Sequence, residues 1–260
     1  MESIGEIMQN NPNLLHSGLK KAGVNLSNKS AKSAVLIKCQ ICNDGGWVTP
    51  VVNGKPDYAH PKRCRCMTQS DNEKRQASYL KYCELPPATE DRTFETFRTT
   101  GVPKLKEALE AAREVVAGKI GFLTLTGEVD RGKTHLAIAI CRAWLAAGKS
   151  AKYAFVPALL EELKAGFKQE GDHSYESRFT FYQKVGLLVL DDLGAEAKTA
   201  WAIEKLETII DYRYINELAT VITTNKTAED FTPRIRSRIQ RAKNSRVVVI
   251  TSPEHRLWKK

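Results

Sequence analysis

A chain of 260 residues, 42% hydrophobic and 27% charged, has room for one or two domains with a sizeable core. No apolar run approaches the ~18 residues of a membrane span, and the start, Met1-Glu2-Ser3-Ile4-Gly5-Glu6, carries acids rather than an export signal; a cytoplasmic protein without a membrane partner is expected. The net charge of +10 is uneven, because residues 232–260 hold nine basic side chains against one acidic, a local +8 that either attracts phosphate backbones or forms a solvated basic face.

Residues 1–34 are polar apart from one weakly amphipathic stretch, Leu14 to Ala22, which reads as a short helix or a flexible arm. Residues 35–70 contain four of the six cysteines, as Cys39-Gln40-Ile41-Cys42 and Cys64-Arg65-Cys66 with 21 residues between. In a reducing compartment such spacing is read for metal before disulfide. Four thiolates from two short knuckles suit tetrahedral Zn²⁺, with sulfurs about 2.3 Å from the ion. Asn43-Asp44-Gly45-Gly46 supplies the tight turn after the first knuckle, and His60 is a possible substitute ligand. Four protein ligands leave no open position, so a structural role is favoured over a catalytic one. Cys83 and Cys141 fall outside the set, Cys141 as a small core residue. Residues 71–100 read as a linker, with Pro86-Pro87 breaking any helix that begins near Asn72.

From Val102 to Ala117 the apolar positions Leu105, Ala108, Leu109 and Ala112 recur at helical spacing. Strands are predicted at 120–126, 151–156, 186–191, 219–224 and 245–251. Helices are predicted at 133–147, 157–168, 175–184, 199–216 and 233–241. This alternation implies right-handed βαβ units, hence an α/β fold with a five-stranded parallel sheet covered by helices on both faces. The expected domains are an arm (1–34), a cysteine region (35–70), a linker (71–100) and a nucleotide-binding domain (101–260).

The strongest signal is Gly127-Glu128-Val129-Asp130-Arg131-Gly132-Lys133-Thr134, which fits G-x-x-x-x-G-K-[ST] between a predicted strand and a predicted helix. That setting aims backbone N–H groups and a helix N-terminus at an anion. Lys133 would reach the β- and γ-phosphates of ATP, and the Thr134 hydroxyl would ligate Mg²⁺. Gly127, Asp130, Arg131 and Gly132 complete the expected nucleotide loop. Leu187-Leu188-Val189-Leu190-Asp191-Asp192 is a buried-strand run ending in two acids, which would sit where open α/β sheets bind ligands. Asp191 would hold Mg²⁺, directly or through water, and Asp192 would polarise the attacking water. Val221-Ile222-Thr223-Thr224-Asn225 is a further strand whose terminal Asn225 would bond that water or the γ-phosphate, or simply cap the strand. Pro233-Arg234-Ile235-Arg236-Ser237-Arg238-Ile239 carries more cations than a covered helix needs, and one arginine could reach a neighbouring subunit's γ-phosphate.

Gly-Lys-Thr-His-Leu-Ala, Leu-Val-Leu-Asp-Asp-Leu-Gly, Thr-Thr-Asn and Arg-Ile-Arg-Ser-Arg-Ile occur here in the order seen in the AAA+ helicase loaders. Over about residues 90–260 the chain resembles these DnaC and DnaI proteins, beside which stand the IstB transposition helpers and phage DnaC-like proteins. The resemblance implies a P-loop AAA+ core without a helical lid, since the sequence runs only nine residues past Thr251. It implies an ATPase that binds single-stranded DNA, holds a replicative helicase through a zinc-binding N-terminal region, and self-associates on ATP binding. It marks Lys133 and Thr134 as Walker A, Asp191 and Asp192 as Walker B, Asn225 as sensor 1 and Arg238 as the finger, with Arg234 second choice. DNA contact falls to Arg241, Lys243 or Arg246. Two departures suggest slow turnover: Asp130 stands where loaders usually carry glycine, and Asp192 is one methylene shorter than the usual Glu. The competing expectations are an IstB-like transposition helper and a zinc-containing nucleic-acid-binding module with a degenerate nucleotide site.

Overall fold

The structure is a computed structural model that describes residues 39–99, 101–241 and 244–251. The arm expected over 1–34 and the DNA contact expected of Lys243 lie outside the described residues. The chain divides into two compact units, 1–62 and 63–260.

In the first unit, β1 (Trp47–Val48) precedes a hairpin of β2 (Val51–Val52) and β3 (Lys55–Pro56), with Val51 opposite Pro56 and Val52 opposite Lys55. Asn53 and Gly54 make its turn at φ 50° and 75°, the left-handed pair that an Asn-Gly dipeptide adopts readily in two-residue hairpins. The predicted turn after the first knuckle is also present: Gly45 N–H donates to Cys42 O (2.9 Å), and Asp44 Oδ1 accepts from Cys39 N–H (2.9 Å). Strand β4 (Lys62–Arg63) meets the division between the units.

In the second unit, α1 (Arg65–Cys83) starts seven residues before the predicted Asn72. Arg65 to Asp71 shows no apolar periodicity, and Cys83 is the helix's one buried side chain, so nothing in the pattern announces a helix there. It ends before Pro86, at Glu84, which takes a left-handed φ of 52°. The segment expected as a linker therefore holds most of α1, and its Cys83 and Phe97 lie in the hydrophobic core.

Then come α2 (Pro103–Val116), β5 (Phe122–Thr126), α3 (Lys133–Ala146), β6 (Ala151–Phe155), α4 (Val156–Gly166), α5 (Tyr175–Lys184), β7 (Leu187–Asp191), α6 (Ala200–Ile215), β8 (Ala219–Thr224), α7 (Pro233–Arg241) and β9 (Ser245–Val249). Each matches its predicted element to within two residues at either end. The five long strands form one parallel sheet in the order β6-β7-β8-β5-β9. Successive residues face opposite sides, as the pleat requires. Leu123, Leu125, Leu187, Val189 and Val221 pack with α2 and α3, while Phe122, Leu188, Leu190 and Ile222 pack with α4, α6 and α7.

One polar device locks the second layer. Arg213 on α6 is fully buried. Its Nε donates to Thr220 Oγ1 (2.9 Å), and its Nη atoms donate to the carbonyls of Tyr182, Gln183, Val185 and Ala219 at 2.6–3.2 Å. Tyr182 and Gln183 belong to the last turn of α5, whose carbonyls have no partner within the helix. A guanidinium with five fixed donors satisfies them and ties α5 to β8.

Candidate functional site

Because all five strands run parallel, their C-terminal ends share one edge. The loop after β5 and the acids at the end of β7 meet there across β8. The cleft, about 380 Å³, is lined by Asp130, Arg131, Gly132, Lys133, Thr134, Asp191, Asp192 and Asn225 from the predicted set.

The loop owes its path to backbone conformations that few side chains accept. Gly127 sits at φ 150°, and a Cβ there would lie 2.5 Å from the Ile250 carbonyl oxygen, so only glycine fits between β5 and the end of β9. Gly132 turns into α3 at φ 88°. Asp130 takes φ 61°, where glycine is unstrained and aspartate is among the better-tolerated residues, which accounts for how this departure is accommodated.

Lys133 is buried, and its Nζ donates to the carbonyls of Gly127 (2.7 Å) and Glu128 (2.6 Å). Burial pushes its ammonium down from the usual lysine range, and the carboxylates of Asp192 and Asp191 oppose that shift. Arg131 is ion-paired with Glu128.

Asp191 is the hub. Thr134 Oγ1 donates to both its oxygens (3.1 and 3.2 Å), Thr223 Oγ1 to Oδ1 (2.6 Å) and the Tyr153 hydroxyl to Oδ2 (2.5 Å). Burial, then the Asp191 charge, push the Tyr153 phenol far above its ordinary range, so it stays a donor. Asp192 stands at φ 60°, and its Oδ1 accepts from Asn225 Nδ2 (3.1 Å) while its backbone N–H donates to Thr223 Oγ1 (2.9 Å). The two predicted acids, the predicted Thr134 and the predicted Asn225 are thus joined in one network. Lys133, a hydroxyl beside a carboxylate, and a second carboxylate held by an amide fit a phosphate with a hard divalent cation.

Sequence reasoning missed Tyr153, Thr223, Arg92, His135 and Phe155, which also line or support this cleft. Thr223 lay inside a quoted motif. Tyr153 and Phe155 lay in a predicted strand whose register was not yet known.

The arginine helix lies outside the cleft. Arg238 Nε donates to Asp211 Oδ1 (2.7 Å) and its guanidinium lies 4.4 Å from the Tyr214 ring centroid. Arg234 Nε pairs with the other oxygen of Asp211 (2.5 Å). Both finger candidates converge on one carboxylate. Arg246 pairs with Glu114 (2.6 Å), and Arg241 is exposed.

The sulfurs of Cys39, Cys42, Cys64 and Cys66 all lie within 4.8 Å of one another. A tetrahedron of thiolates about 2.3 Å from Zn²⁺ has edges of about 3.8 Å, so the four thiols fit that ion with little adjustment. His60 instead pairs with Asp57 (3.0 Å). Among the described residues no helix is long and apolar enough to cross a membrane.

The model of the family described as IstB-like ATP binding protein matches residues 67–238. The phage-like element PBSX protein XkdC of Bacillus subtilis (strain 168) is 27% identical over 220 residues, covering 78% of each chain. The replicative helicase loader DnaC of Escherichia coli (strain K12) is 28% identical over 158 residues, 60% of this chain. That match spans 64% of the loader, just under two thirds of its length. Among solved structures, the crystal structure of the DnaC helicase loader superposes with a TM-score of 0.55 at 27% identity, covering 63% of this chain and 98% of that one.

Proposed function

Since this chain belongs to the IstB-like ATP-binding protein family, we propose that it is a cytoplasmic loader of a replicative helicase that binds and slowly hydrolyses MgATP in this cleft. The observation that carries the reading is the single network through Thr134, Asp191, Thr223, Asp192 and Asn225. A degenerate, purely structural nucleotide site would not need a second acid held by an amide beside the first. When bound, Mg²⁺ would neutralise charge on the phosphates. Thr134 and Asp191 would hold it, Lys133 would exchange its two loop carbonyls for phosphate oxygens, and Asp192 with Asn225 would orient the attacking water. Asp192 is short for that task, and Asp130 adds a like charge near the phosphates, so turnover is slow and suits a switch.

Single-stranded DNA would bind outside the cleft. Phe167 and Tyr175 stack with centroids 4.3 Å apart, Lys164 lies 5.2 Å from the Trp201 ring, and Lys205 lies 6.0 Å from the Tyr175 ring. Aromatic faces interleaved with lysines suit unstacked bases and their phosphates. Arg241 is exposed and would offer a separate phosphate contact, whereas Arg246 is committed to Glu114.

A reading as an IstB-like transposition helper is compatible with the same family membership. Capture with the tagged full chain separates the two: a hexameric helicase is the expected companion, and a transposase in its place would move the protein to the second reading. The four cysteines would hold one structural Zn²⁺. Untagged protein never exposed to chelator is expected to give about one zinc per chain by elemental analysis. Replacing Cys83 or Cys141 should leave that content unchanged, and a content near zero in the wild type would remove zinc from the account.

A further inference from the structure

The cleft contains a cation that belongs to none of the motifs. Arg92 lines it together with Lys133, Thr134, Asp191 and Asp192, although it comes from the segment between α1 and α2. It is half-buried, and among the described residues its side chain makes no hydrogen bond or ion pair. The other cleft cations are committed, Lys133 to two loop carbonyls and Arg131 to Glu128.

Arg92 is placed by its neighbours. His135, in the first turn of α3, bonds through Nε2 with the Thr93 carbonyl (2.9 Å), and its ring meets Phe97 edge-on, with centroids 5.3 Å apart. Phe97 is buried in the core. On the other side, Arg92 N–H donates to Thr89 O (3.0 Å), and the buried Thr89 donates its hydroxyl to Pro86 O (2.6 Å). Both anchors hold the segment against the start of the phosphate-loop helix.

Phe155, at the end of β6, lines the cleft with Arg92, Asp191 and Thr134, so the segment between α1 and α2 borders the side of the cleft that holds the first acid. A planar guanidinium that lines the cleft beside Asp191 and Thr134, and that has no partner among the described residues, matches a phosphate's oxygens two at a time.

We propose that Arg92 contacts the terminal phosphate of ATP from within the same subunit. It is thereby the residue by which the segment between α1 and α2 distinguishes a nucleoside triphosphate from a diphosphate. This rests on the nucleotide reading of the cleft and adds to it a residue outside every phosphate motif. The contact is made by the subunit that binds the nucleotide, so it is separate from a finger supplied by a neighbour.

The test is equilibrium binding of ADP and of the non-hydrolysable analogue AMPPCP to the full chain, with Mg²⁺, for wild type, Arg92→Ala and Arg92→Lys. Arg92→Ala is expected to weaken AMPPCP about tenfold or more and ADP less than about threefold, with Arg92→Lys between. Thermal unfolding without nucleotide should match the wild type, since among the described residues the Arg92 side chain bonds no other. Equal losses for both nucleotides, or no loss for either, would overturn the assignment while leaving the site reading in place. Wild-type protein that bound neither nucleotide would overturn the site reading, and this one with it.

Discussion

Lys133→Ala is expected to lower ATP affinity by about a hundredfold or more, because on the proposed reading it removes the cation that would meet the β/γ-phosphates. Charge-assisted hydrogen bonds contribute about 1.5–3 kcal/mol each, and every ~1.4 kcal/mol is tenfold. The two bonds that Nζ now makes to Gly127 O and Glu128 O indicate the two it would exchange for phosphate oxygens. Burial already disfavours the charged amine here, so its full partnership with phosphate is gained only when the nucleotide arrives. Asp191→Ala provides the contrast. It removes the acceptor of three hydroxyls and should impair Mg²⁺-dependent hydrolysis while leaving part of the binding. Titration with a fluorescent ATP analogue reads both. Unchanged affinity in the Lys133 variant would mean that the loop does not bind phosphate.

Why the phosphate loop was legible and Arg92 was not is a matter of locality. Gly127 to Thr134 is contiguous, and its function depends on backbone conformation, which glycine spacing encodes directly. The strands were legible because parallel strands buried on both faces read as unbroken apolar runs such as Leu187 to Leu190. Tyr153 reaches Asp191 only because β6 pairs with β7 in the register that sets Tyr153 opposite Val189, and nothing in the sequence states that register. Arg92 depends on His135, 42 residues from its bonding partner Thr93. Arg213 is the sharpest case. In the predicted helix 199–216 it looks like a solvated cation near a C-terminus, the usual place for one. The fold buries it completely, because the carbonyls at the end of α5 and on β8 surround it. The start of α1 was missed for the opposite reason, since a helix with one buried residue leaves no period to read. The four cysteines were legible as a group that could hold a metal because ligand chemistry tolerates whatever path the chain takes between knuckles.

Arg238→Ala is expected to keep ATP binding by the isolated subunit and to slow hydrolysis by about a thousandfold, the range that a finger arginine typically commands. The geometry gives this its form. Neither Arg238 nor Arg234 lines the cleft of its own chain, so any contact with a γ-phosphate must be made to a neighbour. Asp211, almost fully buried, takes one arginine on each oxygen, which holds both guanidinium groups against α6. The Tyr214 ring under Arg238 further limits its rotamers. Removing Arg238 leaves Asp211 paired with Arg234, so the fold should survive the change and the kinetic loss can be read cleanly. Mixing Arg238→Ala with Lys133→Ala then supplies the decisive measurement. One variant retains an intact nucleotide cleft and the other an intact finger, so their mixed interfaces should recover part of the ATPase that neither parent shows. The assignment fails if the mixture never exceeds either parent and Arg238→Ala also weakens single-stranded DNA binding, with a salt dependence flatter by about one unit of slope. In that outcome the arginines of α7 neutralise DNA phosphates, and Asp211 serves to hold them in line along the helix.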